Sequence, residues 1–214
     1  MARPRQISDE QILAMMSACV LEHGPQVSLD LVAGQLGVTG PALLKRFGSR
    51  EELMLQALRP PNPVPGGFLD ALKSGPTDEP LEGQLEAIFT SFWAFIAEVM
   101  PRMIALRESG IDLDRVWDKK NHLPLRTNEA LVAWLDLGVQ KGLVDAPNTE
   151  SVALAMVGSL QARATTCHLL KQPISLKSQR TYLKDLVRLF TRAVTPAGDR
   201  AAARPLPKTP RNED

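Results

Sequence analysis

Three observations predict an all-α fold. Apolar residues recur at helical spacing almost throughout, as at Ile12, Met16, Cys19 and Val20. Val and Ile are scattered rather than alternating, so no strand pattern emerges. Each helical run opens after a serine or threonine or closes on a glycine or proline, the punctuation helices need at their ends.

The elements follow in order. Ser8 with Gln11 makes a capping-box pattern ahead of the first helix, and Gly24-Pro25 stops it. Ser28 caps a short helix carrying Leu29, Val32, Ala33 and Leu36 on one face, and Gly37 breaks it. A third short helix runs from Pro41 to Phe47, with proline tolerated in its first turn, and Gly48 ends it. Ser49 with Glu52 is another capping box, opening a helix to about Leu58. The stretch Arg59-Pro60-Pro61-Asn62-Pro63-Val64-Pro65-Gly66-Gly67 cannot continue a helix, because its prolines lack an N–H and fix φ. Beyond it, Leu81, Leu85, Ile88, Phe89, Phe92, Trp93, Ile96, Val99 and Met100 predict a long amphipathic helix that Pro101 kinks or ends. Further helices are expected at about 103–109, 124–141, 150–171 and 177–194. The expected organisation is an N-terminal domain over 1–59, a Pro/Gly-rich linker region over 60–80, a helical domain over 81–195 and a disordered tail over 196–214.

Composition bounds the function. The chain has 214 residues, 44% apolar and 23% charged, which is globular rather than disordered. Its net charge of +1 excludes an indiscriminate polycation, so nucleic-acid binding has to rest on local charge. Two cysteines, Cys19 and Cys167, make neither a disulfide framework nor a zinc cluster. No window approaches the ~18 unbroken apolar residues that span a bilayer. Arg3 and Arg5 precede an apolar run, but Asp9 and Glu10 interrupt the order a secretory signal requires. A cytoplasmic location is expected.

Residues 28–47 carry the functional signal. Two short helices joined through Gly37-Val38-Thr39-Gly40 make a helix-turn-helix, whose second helix suits the ~12 Å width of the DNA major groove. Ala33 is small where the helices approach, and Val38, Leu43 and Phe47 are expected to bury the inner face. Thr39, Gly40, Pro41, Ala42, Lys45 and Arg46 are then left at the outer or N-terminal edge. Residues 1–59 hold six Lys/Arg and six Asp/Glu, so the argument rests on placement. Lys45, Arg46 and Arg50 cluster, while Asp9, Glu10, Glu22 and Asp30 are expected elsewhere.

The segment from Leu31 to Leu53, LVAGQLGVTGPALLKRFGSREEL, resembles the recognition block of the TetR/AcrR family of bacterial transcriptional regulators. The family pattern is an alanine, three residues and Gly-Val-Ser/Thr, then a short helix ending in Phe, then Ser-Lys-Glu-Glu-Leu. The resemblance covers roughly residues 8–58. It implies an N-terminal three-helix DNA-binding domain and a C-terminal effector-binding and dimerisation domain. Where the family has Tyr-x-His before the Phe, this chain has Leu44 and Arg46, and Arg50 replaces the family lysine. Leu44 cannot donate a hydrogen bond, whereas Arg46 is a stronger cation than His. Together with the helix geometry, the resemblance assigns Ser28, Arg46, Arg50 and Thr39 to phosphates and Gly40, Pro41, Ala42 and Lys45 to base edges. Pro41 and Ala42 would meet thymine methyls and Lys45 guanine O6/N7. Arg3 and Arg5 are either a minor-groove arm or a solvated end.

A helix-turn-helix reads few base pairs, so the expected partners are a two-fold double-stranded operator and a second copy of the chain. Ala155, Gly158, Ser159 and Ala162, with Leu183, Leu186, Val187 and Phe190, are the candidate dimer interface; intramolecular packing is the alternative. Phe89, Phe92, Trp93, Ile96, Met100, Met103, Trp117, Trp134, Met156 and His168 are candidates to line a cavity for an unknown small-molecule effector, against the alternative of plain core. His122, Arg107 and Gln161 are further polar candidates there.

No enzyme is expected. The three histidines lack metal spacing, and no phosphate-binding loop, zinc-protease or serine-hydrolase motif occurs. No cofactor or membrane partner is expected either. The reading is a DNA-binding repressor released by a small apolar or amphipathic effector. The alternative is the same fold with weakened DNA contacts, acting through ligand or protein interaction, on the strength of Leu44.

Overall fold

A computed structural model describes residues 7–60, 68–116, 123–170 and 175–198. Every regular element among the described residues is helical. In order they are α1 (Asp9–His23), α2 (Leu29–Leu36), α3 (Gly40–Phe47), α4 (Arg50–Leu58), α5 (Phe68–Leu72), α6 (Leu81–Glu108), a 3-10 turn (Leu113–Arg115), α7 (Leu123–Gln140), α8 (Thr149–Leu169) and α9 (Leu176–Val194). The caps fall where the sequence places them. Gln11 N–H donates to Ser8 Oγ at 3.2 Å and Ser8 N–H to Gln11 Oε1 at 3.0 Å, a complete capping box. At α4 the Glu52 N–H donates to Ser49 Oγ at 3.0 Å, but the Glu52 carboxylate is drawn to Arg115 and Gln56.

The chain forms two compact units: Met1–Val64 with Ala97–Leu123, and Pro65–Ile96 with Pro124–Asp214. This division is discontinuous, unlike the linear one expected from the proline-rich stretch. The reason is packing. Ala105, Leu106, Ile111 and Val116 are buried in the same apolar cluster as Ile12, Met16, Val20, Leu53, Met54 and Leu58. Polar ties reinforce it: Arg102 Nη1 donates to the Ala57 carbonyl at 3.4 Å, and Arg115 pairs with Glu51 and, at 3.1 Å, with Glu52. Cys19 is core filler here, and burial raises its thiol pKa.

Pro101 lies inside α6, which runs on to Glu108, so no separate helix over 103–109 forms. Proline removes one backbone hydrogen bond, that to the carbonyl four residues back at Ala97, which is also the first residue of α6 belonging to the N-terminal unit. By length and composition α6 passes for a bilayer span. Its Leu85, Phe89, Trp93 and Leu106 are instead protein core.

The second unit is built on α7, α8, α9 and the first part of α6. Trp134, Leu135, Met156 and Leu160 are fully buried, and Phe89 meets Phe190 edge-on with ring centroids 5.6 Å apart. Tyr182 O–H donates to the Ser159 carbonyl at 2.7 Å, and the Arg163 guanidinium sits 4.3 Å over the Tyr182 ring. These ties fix the crossing of α8 and α9. The region expected as linker contains the five-residue α5. Of the expected tail, residues 199–214 lie outside the described residues, as do Arg3 and Arg5.

Candidate nucleic-acid interface

Gly37 turns the chain between α2 and α3. It sits in the left-handed region at φ 68, ψ 28, and its N–H returns to the carbonyls of Ala33 and Gly34. A side chain there would be strained, which is why glycine ends α2. Thr39 is extended and caps α3, its hydroxyl accepting from Ala42 N–H at 3.4 Å. Leu43 and Phe47 turn inward onto the cluster that holds Val32 and Ala33. Thr39, Pro41, Ala42, Leu44 and Lys45 face solvent. Lys45 has no hydrogen bond or ion pair among the described residues. The outward face of α3 therefore matches the sequence expectation at Thr39, Pro41, Ala42 and Lys45.

Gly40 does not. It is buried, and a Cβ built on it would lie 2.6 Å from Asp30 Oδ1 and 3.7 Å from Leu29 Cβ. Its small size permits the close approach of α2 and α3, so the assignment of Gly40 to base edges is corrected.

The arginines also differ from expectation. Arg50 Nη2 donates to the carbonyls of Pro25 and Val27 at 2.5 and 3.0 Å, in a partly buried setting. Arg50 thus braces the α1–α2 loop against α4, where the sequence expectation had it reaching outward to phosphate. Arg46 forms an ion pair with Asp9, and its Nη1 donates to the Ile7 carbonyl at 2.6 Å. Its side chain is 40% exposed, so part of the guanidinium remains open to solvent. The acids expected elsewhere flank α3 instead: Asp30 at its start, Asp9 near its end. Sequence reasoning missed Asp9 because the pair spans 37 positions and follows no helical spacing.

Ser28 is exposed at the start of α2, its Oγ accepting from Leu31 N–H at 3.2 Å while its own proton stays available. The free N–H groups and dipole of such a helix start favour an anion such as phosphate. At the start of α1 the Ser8 hydroxyl, by hydrogen bonding, holds the fully exposed Glu10 carboxyl below its usual pKa.

Phe89, Phe92, Trp93, Ile96, Trp134 and Met156 are buried in the second unit; Met100 and Met103 are half-buried in the first. Trp117 and His122 lie outside the described residues. His168 is exposed at the end of α8, so it is corrected as a cavity-lining residue. An open groove of about 590 Å³ runs between α7 and the start of α8, past Asn128, Glu129, Asp136, Glu150 and Leu154, none of them in the expected set.

Of the expected dimer residues, Leu183, Leu186, Val187 and Phe190 are 8%, 8%, 3% and 8% exposed. They are spent on the protomer's own core, a correction to their assignment as interface. Ala155 and Ala162 are exposed, with Gly158 and Ser159 half-buried. The apolar area α8 and α9 leave open is different: Leu154, Leu169, Leu176 and Leu189 are each at least half exposed.

No protein-family model matches the sequence, and no curated protein does. Solved structures do. PfmR, a TetR family transcriptional regulator from Thermus thermophilus, is similar with a TM-score of 0.63 at 20% identity, over 85% of this chain and 97% of that one. The transcriptional regulator FadR from Bacillus subtilis, solved in complex with stearoyl-CoA, gives 0.59 at 16% identity, over 87% of this chain and 99% of that one. SmeT, the repressor of the Stenotrophomonas maltophilia multidrug efflux pump SmeDEF, gives 0.58 at 17% identity, over 94% and 98%. The class that fold and helix-turn-helix define is therefore the all-α TetR-regulator architecture. On that architecture this chain carries Leu44, the Asp9–Arg46 pair and Arg50 held to the α1–α2 loop.

Proposed function

We propose that this chain is a cytoplasmic DNA-binding transcriptional regulator that works as a two-fold dimer, and that it is a repressor released by a small apolar or amphipathic effector. The observation that carries the proposal is the outward face of α3. The helix is capped at Thr39, anchored through Leu43 and Phe47, and presents Pro41, Ala42, Leu44 and Lys45 to solvent. A short rigid helix held this way is what a major groove accepts.

Dimerisation is assigned to α8 and α9. Leu154, Ala155, Gly158, Ala162 and Leu169 fall on one face of α8, with Leu154 at 64% and Leu169 at 65% exposure. Small residues in that stripe allow close helix crossing, and the leucines supply apolar area. Competent binding then requires two recognition helices about 34–36 Å apart. An effector that favours another spacing, with a coupling of about 1–3 kcal/mol, shifts affinity about 5–150-fold. The apolar body of the second unit and the stearoyl-CoA complex of FadR support an apolar or amphipathic effector.

A second reading is favoured by Arg46 and Arg50, whose donors hold protein oxygens: a regulator fold with weakened DNA contacts. Titrating the full chain with duplex from its own upstream region decides between them. The first reading predicts selective binding over random duplex, weakened by Lys45→Ala. Equal affinity for both duplexes would overturn it in favour of the second.

A further inference from the structure

Leu44 distinguishes this surface. It is 37% exposed on α3 while its neighbours Leu43 and Phe47 are buried. Pro41, three residues earlier, and Lys45 share its side of the helix, with Ala42 adjoining, so Leu44 belongs to a continuous apolar strip with one cation beside it. Polar groups free to contact DNA are scarce around it. Thr39 Oγ1 accepts the cap hydrogen bond, Arg46 faces Asp9 and Ile7, and Arg50 faces Pro25 and Val27.

We infer that Leu44 is a specificity-determining residue that reads the 5-methyl group of thymine in the major groove, with Pro41 and Ala42 extending the contact. The inference rests on the DNA-binding reading above. The chemistry is selective. Of the base edges in that groove, thymine alone carries an apolar group. Leucine set against the N4 amine of cytosine or the N7 and O6 of guanine would strip water from polar atoms and return no hydrogen bond. Leu44 therefore favours thymine and penalises its competitors at the same position. The half-site this chain recognises is T-bearing at the steps Leu44 covers, with Lys45 supplying the polar contact beside them.

The test removes methyl groups from the DNA alone. Full-length protein selects from a random duplex library, and each thymine of the selected site is then replaced singly by deoxyuridine. One or two positions per half-site are expected to weaken binding about fourfold, the equivalent of one buried methylene; the other thymines serve as internal controls. Leu44→Ala is expected to bring that ratio close to one, and Leu44→Met to keep it. Selective binding that no deoxyuridine changes, or a methyl effect that persists undiminished in Leu44→Ala, overturns the inference and leaves the DNA-binding reading standing. Failure of the wild-type protein to select any sequence overturns that reading, and the Leu44 inference with it.

Discussion

Replacing Arg50 with alanine separates a brace from a phosphate ligand. In the structure its guanidinium donates to two carbonyls, Pro25 at 2.5 Å and Val27 at 3.0 Å, and neither acceptor belongs to α4 itself. Hydrogen bonds from a charged donor contribute about 1.5–3 kcal/mol each, and these share one partly exposed group, so about 2–3 kcal/mol is at stake together. A cation in the first turn of α4 opposes the helix dipole, so its removal returns about 0.3–0.5 kcal/mol. Arg50→Ala is therefore expected to lose about 2 kcal/mol in chemical denaturation of the full chain. The log–log salt slope of DNA binding, measured on the same variant, is expected to stay unchanged. A variant of wild-type stability whose slope falls by about 0.9, one phosphate's worth, would refute the brace and return Arg50 to the backbone of the duplex.

Other outcomes follow from the same geometry. Asp9→Asn releases Arg46 from its ion pair, an exposed contact contributing about 0–1 kcal/mol, so stability barely changes while the salt slope steepens by up to about 0.9; a shallower slope would show that Asp9 orients Arg46 for phosphate. Leu154→Glu, at a site 64% exposed, is expected to give a folded monomer in sedimentation equilibrium, whereas Leu183→Ala, buried in the protomer, is expected to lose about 2–5 kcal/mol of stability; a Leu154→Glu dimer would move the interface elsewhere. Because burial raises the Cys19 thiol pKa, its thiolate fraction at pH 8 is below that of an ordinary cysteine. Mass spectrometry after alkylation at pH 8 is expected to find Cys167 modified first, with Cys19 reacting only as pH rises further or the protein unfolds.

The local plan of this chain is legible because local chemistry decides it. Ser8, Ser28, Thr39 and Ser49 each hydrogen-bond the backbone three residues on, so caps read from residue types mark true helix starts. α7, α8 and α9 begin and end within about two residues of the periodicity that predicts them. What escapes is decided between distant segments. An amphipathic pattern says that Phe190 is buried, but not whether a second chain or α6 covers it; Phe89 supplies the answer. The resemblance and helix geometry put Arg46 and Arg50 on the outer side, but Ile7, Asp9, Pro25 and Val27 reach them only through the packing of α1 on α4 and of α4 on α3. Gly40 reads as an exposed turn residue until Asp30 is seen against it. The attachment of 97–116 to the N-terminal helices has no local signature either, since Arg115 and Glu51 lie 64 positions apart.

The central claim is that the outward face of α3, twice over, enters the major groove. Methylation interference tests it directly, since a methyl group on guanine N7 obstructs that groove alone. On a selected duplex, two clusters of interfering guanines are expected, about 10–10.5 base pairs apart or a multiple of that, related by a two-fold axis, and altered in pattern by Lys45→Ala. Interference confined to adenine N3 in the minor groove, or a single cluster indifferent to every change on α3, would contradict the account.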